Sequence, residues 1–266
     1  MLTKRLIACF DIIDGMVTKA VRFQDNIHVG PAEELAETLY EAQIDELVFY
    51  DITASAQKRS IDIATVRKVA KRVFIPFTVG GGIKDLADMY EALKAGAEKI
   101  SVDSMAVRNP HIIAEGAKAF GSQCVVLSTQ VKRTVGMPSG YEVYIDGART
   151  ATGLDALEWI KRGQELGAGE ICLNSIDNDG MLSGYDLPLM KQAERYLSVP
   201  LIASGGAGQP EHLAALFTET EAQAAIISSM LYSPRLPKNF AVHELKAYLL
   251  QQGINVRPTR REAVGS

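Results

Sequence analysis

The chain alternates between two kinds of segment. Eight short runs dense in Val, Ile, Leu and Phe lie at Arg5–Asp11, Glu46–Asp51, Ile75–Val79, Lys99–Asp103, Cys124–Gln130, Glu170–Asp177, Pro200–Ser204 and Ala224–Ser229. Most are continuous in apolar residues rather than strictly alternating, which predicts parallel strands covered on both faces. Between them apolar residues return with helical spacing, over Ala32–Ala42, Ile61–Arg72, Leu86–Ala95, Pro110–Phe120, Leu154–Leu166, Leu187–Tyr196, Glu211–Phe217 and Val242–Gln251. Pro110 after Asn109 marks a helix start, and Gly96, Gly167 and Gly253 mark helix ends.

Eight strand–helix alternations without a Pro-rich or Gly/Ser-rich linker predict an α/β fold, a single (β/α)8 barrel over residues 1–257, rather than an open doubly wound sheet. Residues 258–266, polar and terminal, are expected to form a mobile tail. Two segments break the rhythm. Ile12–Gly30 reads as a long loop after strand one, and Val135–Thr152 holds an Asp146-Gly147 signal for a small hairpin. Loops that follow barrel strands crowd the catalytic mouth.

The halves of the chain echo each other at an offset of about 125 residues. Gly80-Gly81-Gly82 is answered by Gly205-Gly206-Ala207-Gly208, Asp103-Ser104 by Ser228-Ser229, and Asp51 by Asp177. This suggests a half-barrel repeat.

Composition narrows the chemistry. The 266 residues are 47% apolar and 23% charged, an ordinary globular mix. A net charge of −4 and a pI near 5.7 exclude the basic footprint of a nucleic-acid binder, so any anion site is local. No apolar run approaches the roughly 20 residues of a membrane span and no signal-peptide pattern is present, so the cytoplasm is the default location. Cys9, Cys124 and Cys172 are odd in number and dispersed in strand-like runs, which predicts reduced core thiols. His28, His111, His212 and His243 lack ligand spacing, so neither a metal nor a cofactor is expected.

Glycine at a strand end lets backbone N–H groups approach a phosphate closely. Two such clusters exist. The first joins Gly81 and Gly82 to Asp103 and Ser104; the second joins Gly205 and Gly206 to Ser228 and Ser229, with Asp179-Gly180 arriving from strand six. Phosphate sites after strands seven and eight recur in barrels, and a matched pair implies a ligand phosphorylated at both ends. Tight turns without a ligand remain the alternative for either cluster.

Lys19 is placed to close over a phosphate or to be plain solvated surface. Asp11 ends strand one, where a carboxylate faces the mouth and can exchange protons with a ligand; Asp51 and Asp177 also end strands. Arg5, Glu46, Lys99 and Glu170 open strands one, two, four and six, and charge alone favours a stabilising ring of salt bridges there.

Together these residues resemble the cyclase subunit family of imidazole glycerol phosphate synthase (HisF family). The likeness runs from Lys4-Arg5 to Asn255-Val256-Arg257, through Asp11-Ile12-Ile13-Asp14-Gly15, Phe77-Thr78-Val79-Gly80-Gly81-Gly82-Ile83, Ser175-Ile176-Asp177-Asn178-Asp179-Gly180 and Ala203-Ser204-Gly205-Gly206-Ala207-Gly208. The resemblance implies that Asp11 is catalytic. It further implies that ammonia from a glutaminase subunit (HisH type), docked at the barrel bottom as a heterodimer, crosses the barrel past a gate formed by Arg5, Glu46, Lys99 and Glu170. At the mouth it would meet a bis-phosphorylated ribulosyl aminoimidazole carboxamide ribotide, giving imidazole glycerol phosphate and aminoimidazole carboxamide ribotide.

Two positions depart from that family. Gln130 stands where a second catalytic Asp is usual, and an amide cannot transfer protons near neutral pH. Asp103 stands where Asn is usual, and a carboxylate beside a phosphate is unfavourable unless turned away or neutralised. Several readings stay open: a cyclase relying on Asp11 with Asp177 or water, a paralogue supplying ammonia for nucleotide-sugar amidation, and a catalytically weak subunit that activates its glutaminase. The related sugar-isomerase barrel is a further one. The retained Asp51, Asp179-Gly180 and Gly205–Gly208 favour the histidine-pathway ligand, and the charged strand starts count against the isomerase, which works alone.

Overall fold

A computed structural model describes residues 2–21, 24–54, 59, 61–233 and 238–260. Its strands are β1 (Arg5–Ile13), β2 (Met16–Val21), β3 (Gln24–Pro31), β4 (Glu46–Asp51), β5 (Phe77–Gly80), β6 (Lys99–Val102), β7 (Val125–Arg133), β8 (Tyr141–Ile145), β9 (Thr150–Asp155), β10 (Glu170–Ser175), β11 (Leu201–Ser204) and β12 (Ala224–Ile227). The helices are α1 (Ala32–Glu41), α2 (Ile63–Ala70), α3 (Leu86–Lys94), α4 (Ser104–Arg108), α5 (His111–Phe120), α6 (Ala156–Glu165), α7 (Leu187–Ala193), α8 (Pro210–Glu219), α9 (Ser229–Tyr232) and α10 (Val242–Gln251).

Eight parallel strands close into the expected barrel in the order β1-β4-β5-β6-β7-β10-β11-β12 and back to β1. Alternation along β1 shows how both strand faces are used. Leu6, Ala8 and Phe10 point outward into the large core beneath the helices, whereas Ile7 and Cys9 join Val48, Val126, Cys172, Ile202, Ala224 and Ile226 inside the barrel.

Several boundaries differ from the sequence reading, each for a local reason. β5 starts at Phe77 and β11 at Leu201, directly after Pro76 and Pro200, which have no N–H for a ladder. The expected strands Lys99–Asp103 and Ala224–Ser229 stop early because Asp103 and Ser228 occupy the N-cap positions of α4 and α9. These residue types favour helix starts over strand interiors. β10 ends at Ser175, and Asp177 lies in the following turn, its carboxylate accepting from the Arg133 N–H at 2.8 Å. Cys124 sits in a 3-10 turn at Ser122–Cys124 rather than in a strand. α6 begins at Ala156, not Leu154, because the Asp155 side chain accepts from the N–H groups of Leu157 and Glu158.

The expected long loop Ile12–Gly30 is a hairpin extension. β1 runs on to Ile13 and turns through Asp14-Gly15 into β2, which pairs with β3. Both turn residues have positive φ, 48° and 76°, the two-residue Asp-Gly turn that suits the twist of paired strands. The second hairpin forms as expected: β8 and β9 flank the tip Asp146–Arg149.

The barrel seam joins the ends of the chain. The Lys4 N–H donates to the Asn255 carbonyl at 2.8 Å, and the fully buried Lys246 places Nζ 2.7 Å from Asp45 Oδ1. Arg257 Nε approaches the same oxygen at 3.0 Å. The start of the expected mobile tail is docked, since Thr259 is buried and the Arg260 N–H donates to Gln43 Oε1 at 2.6 Å. Residues 261–266 lie outside the described residues.

Candidate active site

Parallel strands that tilt around a barrel bring their C-terminal ends to one mouth, and there a cavity of about 460 Å³ opens. Asp11, Lys19, Gly81, Asp103, Ser104, Gln130, Asp179, Gly180, Gly205, Gly206, Ser228 and Ser229 all line it. Gly82 does not. With φ +75°, it packs where a Cβ would sit 2.5 Å from that of Ala54, so its glycine serves the turn. Asp177 also lies off the cavity lining, and Asp51 lines it but is committed: Arg59 grips both its oxygens, at 2.5 and 2.9 Å.

On one side of the mouth, the first hairpin carries Lys19 inward on β2, where Nζ donates to Ser228 Oγ at 2.5 Å. Gly206 allows the neighbouring loop to close tightly, since with φ +106° a Cβ there would lie 2.0 Å from the Gly184 carbonyl oxygen. Asp11 and Asp179 share this side. Burial raises the pKa of each above the usual carboxylate value, Lys19 opposes the rise in both, and the charge of Asp179 adds to that of Asp11.

The other side is built from β5, β6 and the second hairpin. Gly81, φ +82°, approaches the backbone of Asp51 so closely that a Cβ would be 2.3 Å from its carbonyl oxygen. The hairpin tip is pinned here: the Asp146 N–H donates to Ser104 Oγ at 3.0 Å, and Arg108 Nη2 reaches both Asp146 carboxylate oxygens at 2.7 Å. This brings Arg149 to the cavity wall. The carboxylate of Asp103 accepts from the Ser104 N–H, and Gln130 Nε2 donates to Asp103 Oδ2 at a long 3.5 Å. Burial raises the Asp103 pKa, against the bonds from Ser104 and with the charge of Asp146.

At the opposite pole the four charged strand starts do meet. Arg5 lies 2.5 Å from Glu46 and 2.9 Å from Glu170; Lys99 lies 3.3 Å from Glu46 and 2.9 Å from Glu170. Burial opposes the charge on Arg5, but Glu170 and Glu46 outweigh it and raise its pKa. Above this ring the barrel interior mixes the apolar Ile7, Val48, Val126, Ile202 and Ile226 with the buried hydroxyl residues Thr78, Ser101 and Ser128, up to Cys9, Cys172 and Tyr50, whose hydroxyl is 3.2 Å from Ser101 Oγ.

A family model of histidine biosynthesis proteins matches residues 5–237. Imidazole glycerol phosphate synthase subunit HisF of Desulfosudis oleivorans is 52% identical over 260 residues, covering 97% of this chain and 99% of that protein. HisF of Desulfatibacillum aliphaticivorans is also 52% identical, covering 97% and 98%, and that of Desulforapulum autotrophicum is 50% identical, covering 97% and 100%. The chain belongs to the HisF family.

Several lining residues of this HisF-family barrel escaped the sequence reading. Arg149 and Asp146 reach the mouth only through the fold of the hairpin, and Cys9, Tyr50, Ser128, Cys172 and Asn174 line it because their strands converge. For the inner residues, the strand period of two counted back from Asp11 finds Cys9, and counted back from Gln130 it finds Ser128. Arg149 had a weaker signal, as a lone arginine beside a turn already identified. Among the described residues, no helix is long and apolar enough to cross a membrane.

Proposed function

We propose that the chain is the cyclase subunit of imidazole glycerol phosphate synthase in histidine biosynthesis, acting on the bis-phosphorylated ribulosyl aminoimidazole carboxamide ribotide in the cytoplasm. The observation that carries this reading is one cavity with Gly81 and Ser104 at one end, Gly180, Gly205 and Gly206 at the other, and Asp11 on its wall. Gly205, Gly206, Gly180, Ser228, Ser229 and Lys19 hold one phosphate. Gly81 and Ser104 hold the other, with Arg149 supplying the cation. Backbone and hydroxyl donors neutralise little charge, so Lys19 and Arg149 supply most of the electrostatic attraction at the two ends.

Asp11 exchanges protons with the ligand during C–N cleavage and imidazole ring closure. Its raised pKa suits the task, since an acid/base group works best when its pKa lies near the working pH. A glutaminase of the HisH type docks at the barrel bottom as a heterodimer. Ammonia then passes the ring of Arg5, Glu46, Lys99 and Glu170 and crosses the barrel interior, where the hydroxyls of Thr78, Ser101 and Ser128 stand among apolar side chains.

The test is turnover of the bis-phosphorylated ribotide with ammonium at high pH, where free ammonia replaces the glutaminase. The parent chain is expected to release both products, and Asp11→Asn to lose about 10²–10⁴ in kcat, the usual worth of an acid/base group. A parent chain without turnover sinks the reading. Gln130 motivates a second one, a glutaminase-activating subunit with weak cyclase chemistry. It predicts ligand-stimulated glutaminase activity without ring closure.

A further inference from the structure

Among the described residues, five carboxylates line the cavity, and the structure sorts them by what already holds them. Asp51 is gripped by Arg59 and by the loop N–H of Ala54, and Asp146 is paired with Arg108. Asp11 and Asp179 stand together on the Lys19 side. Asp103 remains, with no cation pairing it among the described residues; its side-chain partners are the adjacent Ser104 N–H and the amide of Gln130.

Its position is the second observation. β7 lies four strands from β1 around the ring, directly across the barrel, and β6 is the immediate neighbour of β7. Asp103, at the end of β6, and Gln130, on β7, therefore face Asp11 from the far wall of the same cavity. Gln130 has no proton to exchange, but its amide can orient the carboxyl beside it. Asp103 has no hydrogen to donate to a phosphate when ionised and repels one. The carboxyl of this pair follows β6 and its amide stands on β7.

We propose that Asp103 is the second acid/base group of this site, oriented by Gln130 and acting across the cavity from Asp11, rather than a phosphate ligand. The proposal rests on the cyclase reading above. Over one cycle Asp103 gives a proton to the ligand and takes one back, so it ends as it began and needs no external reductant, oxidant or metal. Burial raises the Asp103 pKa above the carboxylate norm, the direction that suits a proton-exchanging carboxyl.

Ammonia-driven turnover is measured for the parent chain, Asp103→Asn, Gln130→Asp and the double exchange Asp103→Asn/Gln130→Asp. Asn caps a helix start as well as Asp does, so Asp103→Asn removes the proton and keeps α4; its thermal unfolding should match the parent. The expected result is a kcat loss of about 10²–10⁴ with KM changed less than about threefold, and recovery to at least about a tenth of parental kcat in the double exchange, which moves the carboxyl to β7. Parental kcat in Asp103→Asn overturns the proposal, and so does unchanged kcat with a lower KM, the signature of a charge that merely weakens phosphate binding. A parent chain that turns over nothing sinks the cyclase reading and this inference with it; parental turnover indifferent to Asp103→Asn sinks this inference alone.

Discussion

At the bottom of the barrel two cations and two carboxylates close into a ring of four ion pairs, so each buried charge touches two of opposite sign. At the mouth the carboxylates outnumber their partners: Asp11 and Asp179 have Lys19 as counter-charge, and Asp103 faces an amide. The two poles therefore differ in how their charges are paired. The consequence is visible in the carboxyl groups, since burial raises the pKa of Asp11, Asp103 and Asp179 above the carboxylate norm. Balanced buried charge fixes architecture, whereas unbalanced buried charge leaves groups ready to exchange protons or to receive a ligand that completes them.

Breaking the balanced pole should have the largest effect on stability. Glu46→Ala leaves Arg5 and Lys99 sharing Glu170 alone and is expected to cost about 3 kcal/mol, read from urea unfolding. If the poles are separable as the comparison holds, the folded variant binds the bis-phosphorylated ligand with parental affinity in calorimetric titration. A weakened affinity in the folded variant would mean that the ring also shapes the mouth.

Removing Lys19 at the unbalanced pole sharpens the contrast from the other side. Lys19→Met is expected to raise KM for the bis-phosphorylated ligand about tenfold or more, corresponding to roughly 1.5–3 kcal/mol for a charge-assisted hydrogen bond. Calorimetric titration with the ligand provides an independent reading. Little change in stability is expected, because Met keeps an apolar stem of similar length and gives up only the distant approach of Nζ to the Tyr232 ring, 6.0 Å from its centroid.

The smallest effect carries a sign. A carboxyl whose folded pKa is raised contributes stability that is full below its unfolded value, about 3.9, and is lost as pH rises through the folded value. Asp179→Asn is therefore expected to raise the unfolding midpoint slightly at pH 7, with the gain vanishing at about pH 4 and below. The same substitution is expected to give a loss at neutral pH if Asp179 were paired as the bottom carboxylates are.

Much of this contrast is legible in the sequence. The strand starts Arg5, Glu46, Lys99 and Glu170, the strand-end Asp11 and the two glycine clusters are local signals, each fixed by residue type and place in a strand–helix rhythm. What the sequence hides comes from contacts across the chain. The Asp14-Gly15 turn was available in the same form as Asp146-Gly147, but its hairpin was masked by a β2 and β3 composition that reads as loop. Gly82 looked like a phosphate residue because it sits beside Gly81, and only the packing on Ala54 separates them. Arg149 needed the clasp between Arg108 and Asp146 to arrive at the mouth. Ser128 and Cys172 needed barrel closure to meet.

The seam between β12 and β1 governs when this protein can first exist. β12 supplies the last strand of the ring, and the contacts of Asn255 with Lys4 and of Lys246 and Arg257 with Asp45 lie later still in the chain. During synthesis the early strands must therefore wait with β1 unpaired along one edge, and the cavity is complete only once β12 and Ser229 have left the ribosome. A growing chain exposes that edge until β12 emerges, so holdase chaperones are expected to act on this barrel during translation more than after it.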